Sequence, residues 1–245
     1  RLLQLYRLMN FFNTMINYIG LDTSLSSTGM YIKTPTEEYY FNYRNSCKDS
    51  KWHKTLSYVR YYDYLLPETN EFSEEQIVKL KTYDEVTDAI INDMVSICNP
   101  AETVVITESY SYASTAGPLI DLVTYATLLR NKILKKGFLE LIVVPPTSLK
   151  SRTCIKVYGP GELIVPKRPS KKVVAEKRKP SRNHIGIPGG KFQKQDMLLA
   201  LFESDLDIRF KRSLQIHANE LVKMKGIPSP ISDIVDAIWL VEAHL

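Results

Sequence analysis

The stretch NYIGLDTSLSSTGMYI, residues 17–32, decides how the rest of the chain is interpreted. It contains two apolar runs separated by small, hydroxyl-bearing residues. This pattern predicts two antiparallel strands joined by a tight connection, with Gly29 easing the turn. Asp22 closes the first run, where a carboxylate that faces the core would be costly unless it had a function.

Further apolar runs along the chain predict more strands and several helices. The predicted strands cover residues 37–43, 103–108 and 139–144. The predicted helices cover residues 84–98, 118–136, 192–203, 210–225 and 231–245. An early strand meander followed by alternating helices and strands predicts an α/β fold, in which a mixed sheet is flanked by helices.

The composition is that of a globular protein. Hydrophobic residues make up 44% of the 245 residues and charged residues 24%, which excludes collagen-like, mucin-like and wholly disordered chains. No apolar run approaches the roughly 20 residues needed to span a bilayer, so no membrane partner is expected. Three widely spaced cysteines, Cys47, Cys98 and Cys154, favour a reducing compartment over secretion.

The net charge of +5 is unevenly distributed. Residues 150–194 contain 13 Lys or Arg and two acids, a balance of +11, whereas the other 200 residues carry 19 bases and 25 acids, a balance of −6. Concentrated positive charge suits a polyanionic partner, because phosphate contacts release counterions. A solvated loop without a ligand would have the same composition.

Four carboxylates stand out from the acidic remainder. Asp22 and Glu108 end two predicted strands, whereas Asp233 and Asp236 lie three residues apart in the last predicted helix and therefore share a face. Each acid alone is equally typical of a helix cap or a salt bridge. Together they could meet at one edge of the sheet and bind Mg²⁺ or Mn²⁺, and two such ions can drive phosphoryl displacement.

Three short motifs resemble those of the RuvC-like Holliday-junction resolvases. GLDTSLSSTGMYI matches an Asp followed by a Thr-Gly pair, through Asp22, Ser24, Thr28 and Gly29. VVITESYSYAS resembles the second motif, a Glu followed closely by an aromatic, and SDIVDAIWL resembles the last, two Asp in a C-terminal helix. The resemblance implies a five-stranded RNase H-like fold, two Mg²⁺ (or Mn²⁺) ions per site and a homodimer that cleaves four-way DNA junctions.

The family also carries basic and aromatic residues that contact DNA. Lys150 matches the first of two catalytic lysines, and Lys194 matches the second better than Lys191 does. Tyr112, or Tyr110 as the alternative, would stack on unpaired bases, although core packing explains either tyrosine equally well. The remaining DNA-binding candidates lie in the basic segment: Lys167, Arg168, Lys171, Lys172, Lys177, Arg178, Lys179 and Arg182.

The resemblance starts at about residue 17, so residues 1–16 are expected to be an N-terminal extension of a nuclease domain at 17–245. Insertions are expected at about residues 44–82 and 151–190, the second because it holds five prolines and many bases. Residues 1–16 contain arginine but no acid, which fits a packing helix, an untidy terminus or a weak organellar presequence. The expected location is intracellular: the cytoplasm, a nucleoid or a viral replication site.

Three other functions fit parts of the sequence. A related nuclease acting on flaps, branched replication intermediates or packaging DNA would use the same carboxylates. An actin-like or sugar-kinase ATPase also has an Asp followed by Ser, Thr and Gly, but this chain lacks a second Asp-Gly phosphate loop. A non-catalytic DNA-binding or scaffold protein would have no use for all four acids.

Overall fold

A computed structural model describes residues 16–46, 48–66, 71–110, 116–159, 192–224 and 226–245, and these residues contain a six-stranded sheet of order β4-β3-β2-β1-β5-β6. Its strands are β1 (Asn17–Asp22), β2 (Ser27–Lys33), β3 (Glu38–Arg44), β4 (Arg60–Asp63), β5 (Thr103–Glu108) and β6 (Glu140–Val144). Strands β1, β2 and β3 form an antiparallel meander. The pairs β1–β5, β5–β6 and β3–β4 are parallel.

The sheet is mixed and flanked by helices, as expected, but it has six strands rather than five. The additional strand, β4, lies at the edge beside β3, within the stretch at about residues 44–82 that was expected to be an insertion. It is four residues long, and three of those residues are exposed. A short edge strand does not need the apolar alternation by which strands are recognised, and this is why the sequence did not predict it.

Helices cover both faces of the sheet. They are α1 (Lys51–Thr55), α2 (Phe72–Ile97), α3 (Ala116–Lys136), α4 (Pro146–Tyr158), α5 (Lys194–Glu203), α6 (Arg209–Leu214), α7 (Ala218–Lys223) and α8 (Ile231–Glu242). One core, containing Ile19 and Leu21, packs against α2 and α3. The other core lies between the opposite face and α8, with α4 and α5 packed around that helix.

Two glycines allow α8 to lie directly on the sheet. A Cβ added to Gly20 would stand 2.0 Å from the carbonyl oxygen of Ala237, and one added to Gly29 would stand 2.3 Å from that of Asp233. Gly29 therefore does not ease a turn, as the sequence had suggested. It lies within β2, and the connection between β1 and β2 is formed by residues 23–26.

Several helix boundaries differ from the predicted ones. Helix α2 begins at Phe72, twelve residues before the predicted start, because its first turns expose polar residues on most sides. The predicted helix at 210–225 is divided into α6, a 3₁₀ turn and α7. Residues 151–158, where the second insertion was expected to begin, belong to α4. None of the helices in the described ranges is long and apolar enough to cross a membrane.

Candidate active site

The four carboxylates meet where α8 crosses one edge of the sheet. Asp22 and Glu108 are the last residues of β1 and β5, which are parallel neighbours, so both side chains lie at the same edge. Asp22 pairs across the sheet with Gly29, and Gly29 touches the backbone of Asp233. Helix α8 thus brings Asp233 and Asp236 to the ends of the two strands, as the sequence had predicted.

Asp22 lies at the electrostatic centre of this group. Its residue is only 6% exposed. Burial raises the pKa of the Asp22 carboxyl well above its ordinary value, and the carboxylates of Asp236, Glu108 and Asp233 raise the same pKa further. Lys194 opposes these effects without cancelling them. Without a cation, a full set of negative charges is therefore unfavourable at this position.

The pKa values of two further carboxyls are displaced for the same reasons. Burial, followed by repulsion from Asp236, raises the pKa of Glu108 to about 7, although Lys150 and Lys194 act in the opposite direction. Burial also raises the pKa of Asp236, which Lys194 and Lys150 lower and Asp233 raises. Closely coupled carboxyls in a buried site are common where a protein carries out chemistry.

Two lysines predicted to belong to the site lie beside these acids. Lys194 is the first residue of α5, and its Nζ lies 3.5 Å from Oδ2 of Asp236. Burial disfavours the charge on Lys194, but Asp236, Asp22 and Asp233 outweigh that cost, so its pKa is raised. Lys150 belongs to α4 and acts on both Glu108 and Asp236.

Replacing Lys194 with Met is expected to raise the pKa of Glu108 above about 7, because the substitution removes a positive charge that lowers it. Solvent moderates the effect, since 52% of the Lys194 side chain is exposed. A pH titration of glutamate carboxyl ¹³C resonances in the metal-free protein measures it. The exposed Lys156→Met in α4 serves as a control that leaves the pKa of Glu108 unchanged. Equal values in both variants would contradict the assignment.

Asp233 differs from the other acids because hydrogen bonds hold both of its carboxylate oxygens. Ser229 Oγ donates to Oδ2 at 2.7 Å, and Ser232 Oγ donates to Oδ1 at 2.9 Å. Asn42 Nδ2 makes a longer bond to Oδ2, at 3.5 Å. The sequence interpretation missed these donors, although an Asn within the aromatic strand YYFNY was a visible signal.

Asn42 is fully buried and only half satisfied. Its Nδ2 donates to Ser27 Oγ at 2.8 Å, but its Oδ1 has no hydrogen-bond partner in the structure. A buried unpaired oxygen of this kind costs about 1–3 kcal/mol. The unpaired oxygen lies on a residue that contacts the acidic site.

Tyr110 packs against α3 in this structure. The guanidinium of Arg130 lies 4.5 Å from the centre of its ring, and its hydroxyl lies 3.0 Å from Thr127 Oγ1. Arg130 also donates to the backbone oxygen of Glu108 at 2.7 Å and so ties this loop to the strand end. The other DNA-binding candidates lie outside the described residues: Tyr112, Lys167, Arg168, Lys171, Lys172, Lys177, Arg178, Lys179, Arg182 and Lys191.

The acidic group fits a divalent cation in charge and donor chemistry. Carboxylate oxygens are the ligands that Mg²⁺ and Mn²⁺ prefer, and no described residue donates a hydrogen bond to the carboxylate of Asp22 or Glu108. The side chains do not form a closed ligand cage, however. Within the described ranges, no three His, Cys, Asp or Glu side chains are grouped closely enough to hold a metal as they stand.

No protein-family model and no curated protein matches this sequence. Among solved structures, the chain is similar to Thermus thermophilus RuvC in complex with a Holliday junction substrate, with 7% identity, 94% of each chain covered and a TM-score of 0.43. For a second T. thermophilus RuvC structure, the sequence identity is 8%, 94% of this chain and 95% of that chain are covered, and the TM-score is 0.36. For the yeast mitochondrial Holliday junction resolvase Ydc2, the sequence identity is 10%, 92% of this chain and 77% of that chain are covered, and the TM-score is 0.41. At such values, the acidic site must carry the functional argument.

Proposed function

We propose that this protein is a metal-dependent endonuclease that cleaves branched DNA, with four-way junctions as its preferred substrate. One observation carries the proposal: four carboxylates from two strand ends and one helix act on one another beside two lysines. A site built only for stability would not concentrate like charges where burial penalises them. The negative excess is what a pair of divalent cations would neutralise.

The residues of the site divide the chemistry among them. Asp22, Glu108, Asp233 and Asp236 would hold the ions, with Asp233 already oriented by its hydrogen bonds. When bound, two such ions activate a water molecule and stabilise the leaving oxygen of the phosphodiester. Lys194 and Lys150 would bring positive charge to the scissile phosphate. Burial around Asp22 limits water and strengthens each of these interactions.

The choice of branched DNA rests on the three sequence motifs and on the basic segment at residues 150–194. A balance of +11 in a segment that begins and ends with the two site lysines supports a polyphosphate substrate. A four-way junction has two symmetric strands to nick, so a homodimer with one site per strand is the proposed assembly.

A cleavage assay tests the proposal. Purified protein is expected to nick a synthetic four-way junction in Mg²⁺ or Mn²⁺ and not in EDTA, and Asp22→Asn is expected to lower the rate by at least about 100-fold. Replacing a residue that hydrogen-bonds to a metal ligand typically costs about 10–100-fold, and replacing a ligand itself should cost at least as much. Failure to cut any branched DNA with either metal would refute the proposal.

The exposed Asp205→Asn is the matched control for Asp22→Asn, because it removes an acid outside the site. A panel of DNA substrates tests the specificity. Preference for junctions over flaps, duplexes and single strands is the expected outcome. Comparable cutting of flaps and junctions would instead favour the broader branched-DNA nuclease, which uses the same carboxylates.

A further inference from the structure

We propose that Asn42 is a positioning residue, which acts with Ser27 and Ser229 to orient the carboxylate of Asp233. This inference rests on the proposed function, since it concerns how one ligand of that site is held. Asn42 and Ser229 lie outside the sequence motifs for the acids, and Ser27 lies within the first motif but is not one of its matched residues. The structure brings them together from β2, β3 and the segment before α8.

The contacts form a chain that ends on one oxygen. Asn42 Nδ2 lies 2.8 Å from Ser27 Oγ, Ser27 Oγ lies 3.1 Å from Ser229 Oγ, and Ser229 Oγ lies 2.7 Å from Oδ2 of Asp233. Asn42 also reaches that oxygen directly at 3.5 Å. Hydrogen bonds in such chains polarise one another, so the chain fixes Asp233 more firmly than a single bond would.

Burial differs along this chain and assigns the main role to Asn42. Asn42 is 0% exposed and Ser27 is 4% exposed, whereas Ser229 lies at the surface. Water can therefore replace part of what the Ser229 hydroxyl contributes, whereas it cannot reach the position of the Asn42 amide. Gly29, which pairs with Asn42 across the sheet, meanwhile holds the backbone of Asp233 close to β2. Gly29 thus positions the backbone of Asp233, and its strand neighbour Asn42 positions the carboxylate.

The unpaired oxygen of Asn42 argues against a purely structural role. An apolar side chain of similar size would avoid leaving a buried acceptor without a partner. The protein nevertheless has an amide side chain at position 42, and the nitrogen of this amide donates to Ser27 and Asp233. Replacing Asn42 with Leu should therefore maintain or increase thermal stability while it weakens the site, a combination that a structural asparagine would not give.

Asn42→Leu and Ser229→Ala test the proposal through three measurements in the full chain. Single-turnover cleavage and affinity for Mn²⁺ are expected to fall by about 10–100-fold in Asn42→Leu and by about 10-fold in Ser229→Ala. Affinity for the junction in EDTA should not change, and Ser229→Thr, which keeps the hydroxyl, should recover most of the loss. Ser213→Ala removes a hydroxyl bonded to Tyr58 and Phe210, away from the site, and should change nothing.

The outcomes separate this inference from the proposed function. Wild-type rate and Mn²⁺ affinity in both folded variants would overturn the role of Asn42 alone, as would failure of both variants to fold, which would make the network structural. A wild-type protein that binds Mn²⁺ but cuts no branched DNA would overturn the proposed function, and Mn²⁺ affinity would still decide the role of Asn42. A wild-type protein that binds no Mn²⁺ would overturn both.

Discussion

Asp22→Asn is expected to unfold at a higher temperature than the wild-type protein in EDTA at pH 8, although it loses cleavage activity. Burial and three neighbouring carboxylates raise the pKa of Asp22. Ionisation of the Asp22 carboxyl is therefore less favourable in the folded state than in the unfolded state. Stability is therefore lost as pH rises from the ordinary aspartate range through the raised pKa. Asn removes this penalty, and each kcal/mol regained adds about 2–4 °C to Tm in a chain of this size.

Thermal unfolding at pH 5 and pH 8, with and without Mg²⁺, measures this effect. The difference between Asp22→Asn and wild type should be smaller at pH 5, where more of the Asp22 carboxyl is protonated. Saturating Mg²⁺ should stabilise the wild type more than the variant, because binding to the folded state adds to its stability. Asp205→Asn, at an exposed position, should show none of these shifts. If Asp22→Asn were less stable than the wild type at pH 8 in EDTA, the inference that the charge on Asp22 destabilises the metal-free protein would be wrong.

Gly29→Ala is expected to lower both stability and cleavage. The new Cβ would stand 2.3 Å from the carbonyl oxygen and 2.4 Å from the carbonyl carbon of Asp233, so β2 and α8 must separate. Overpacking of this kind costs about 1–3 kcal/mol, and sometimes more. The same movement displaces Asp233 from Asp22, and a misplacement of about 1 Å in a catalytic site can cost about 100-fold in rate.

Urea unfolding and single-turnover cleavage measure the two losses. Gly226→Ala is the matched control, because a Cβ at Gly226 meets no atom within 4 Å. It tests whether a glycine-to-alanine change alone has an effect. Full activity in Gly29→Ala would show that the contact between β2 and α8 does not locate Asp233.

Much of the acidic edge could be predicted from sequence because its signals are local. Asp22 and Glu108 follow apolar strands directly, and parallel strands end at the same edge. Asp233 and Asp236 stand three apart in a helix whose other residues are mostly apolar. The number of strands was predicted less well, since the exposed residues of β4 do not alternate between apolar and polar.

The hydrogen-bonded surroundings of these acids could not be derived in the same way. Asn42 and Asp233 are 191 residues apart, and no periodicity relates a side chain in β3 to one in α8. The role of Gly29 was misjudged for a similar reason. A glycine that follows small residues is typical of a turn, whereas here it accommodates the backbone of a helix from the far end of the chain.

This long separation also determines when the protein acquires its site during synthesis. Helix α8 is attached to β2 at both of its ends, through Gly29 against Asp233 and through Lys33 paired with Glu242, 209 residues further along the chain. A nascent chain can form the β1–β2–β3 meander early, but two of the four carboxylates are still untranslated. The group of four carboxylates therefore cannot assemble before residues 231–242 have emerged from the ribosome and docked on the sheet.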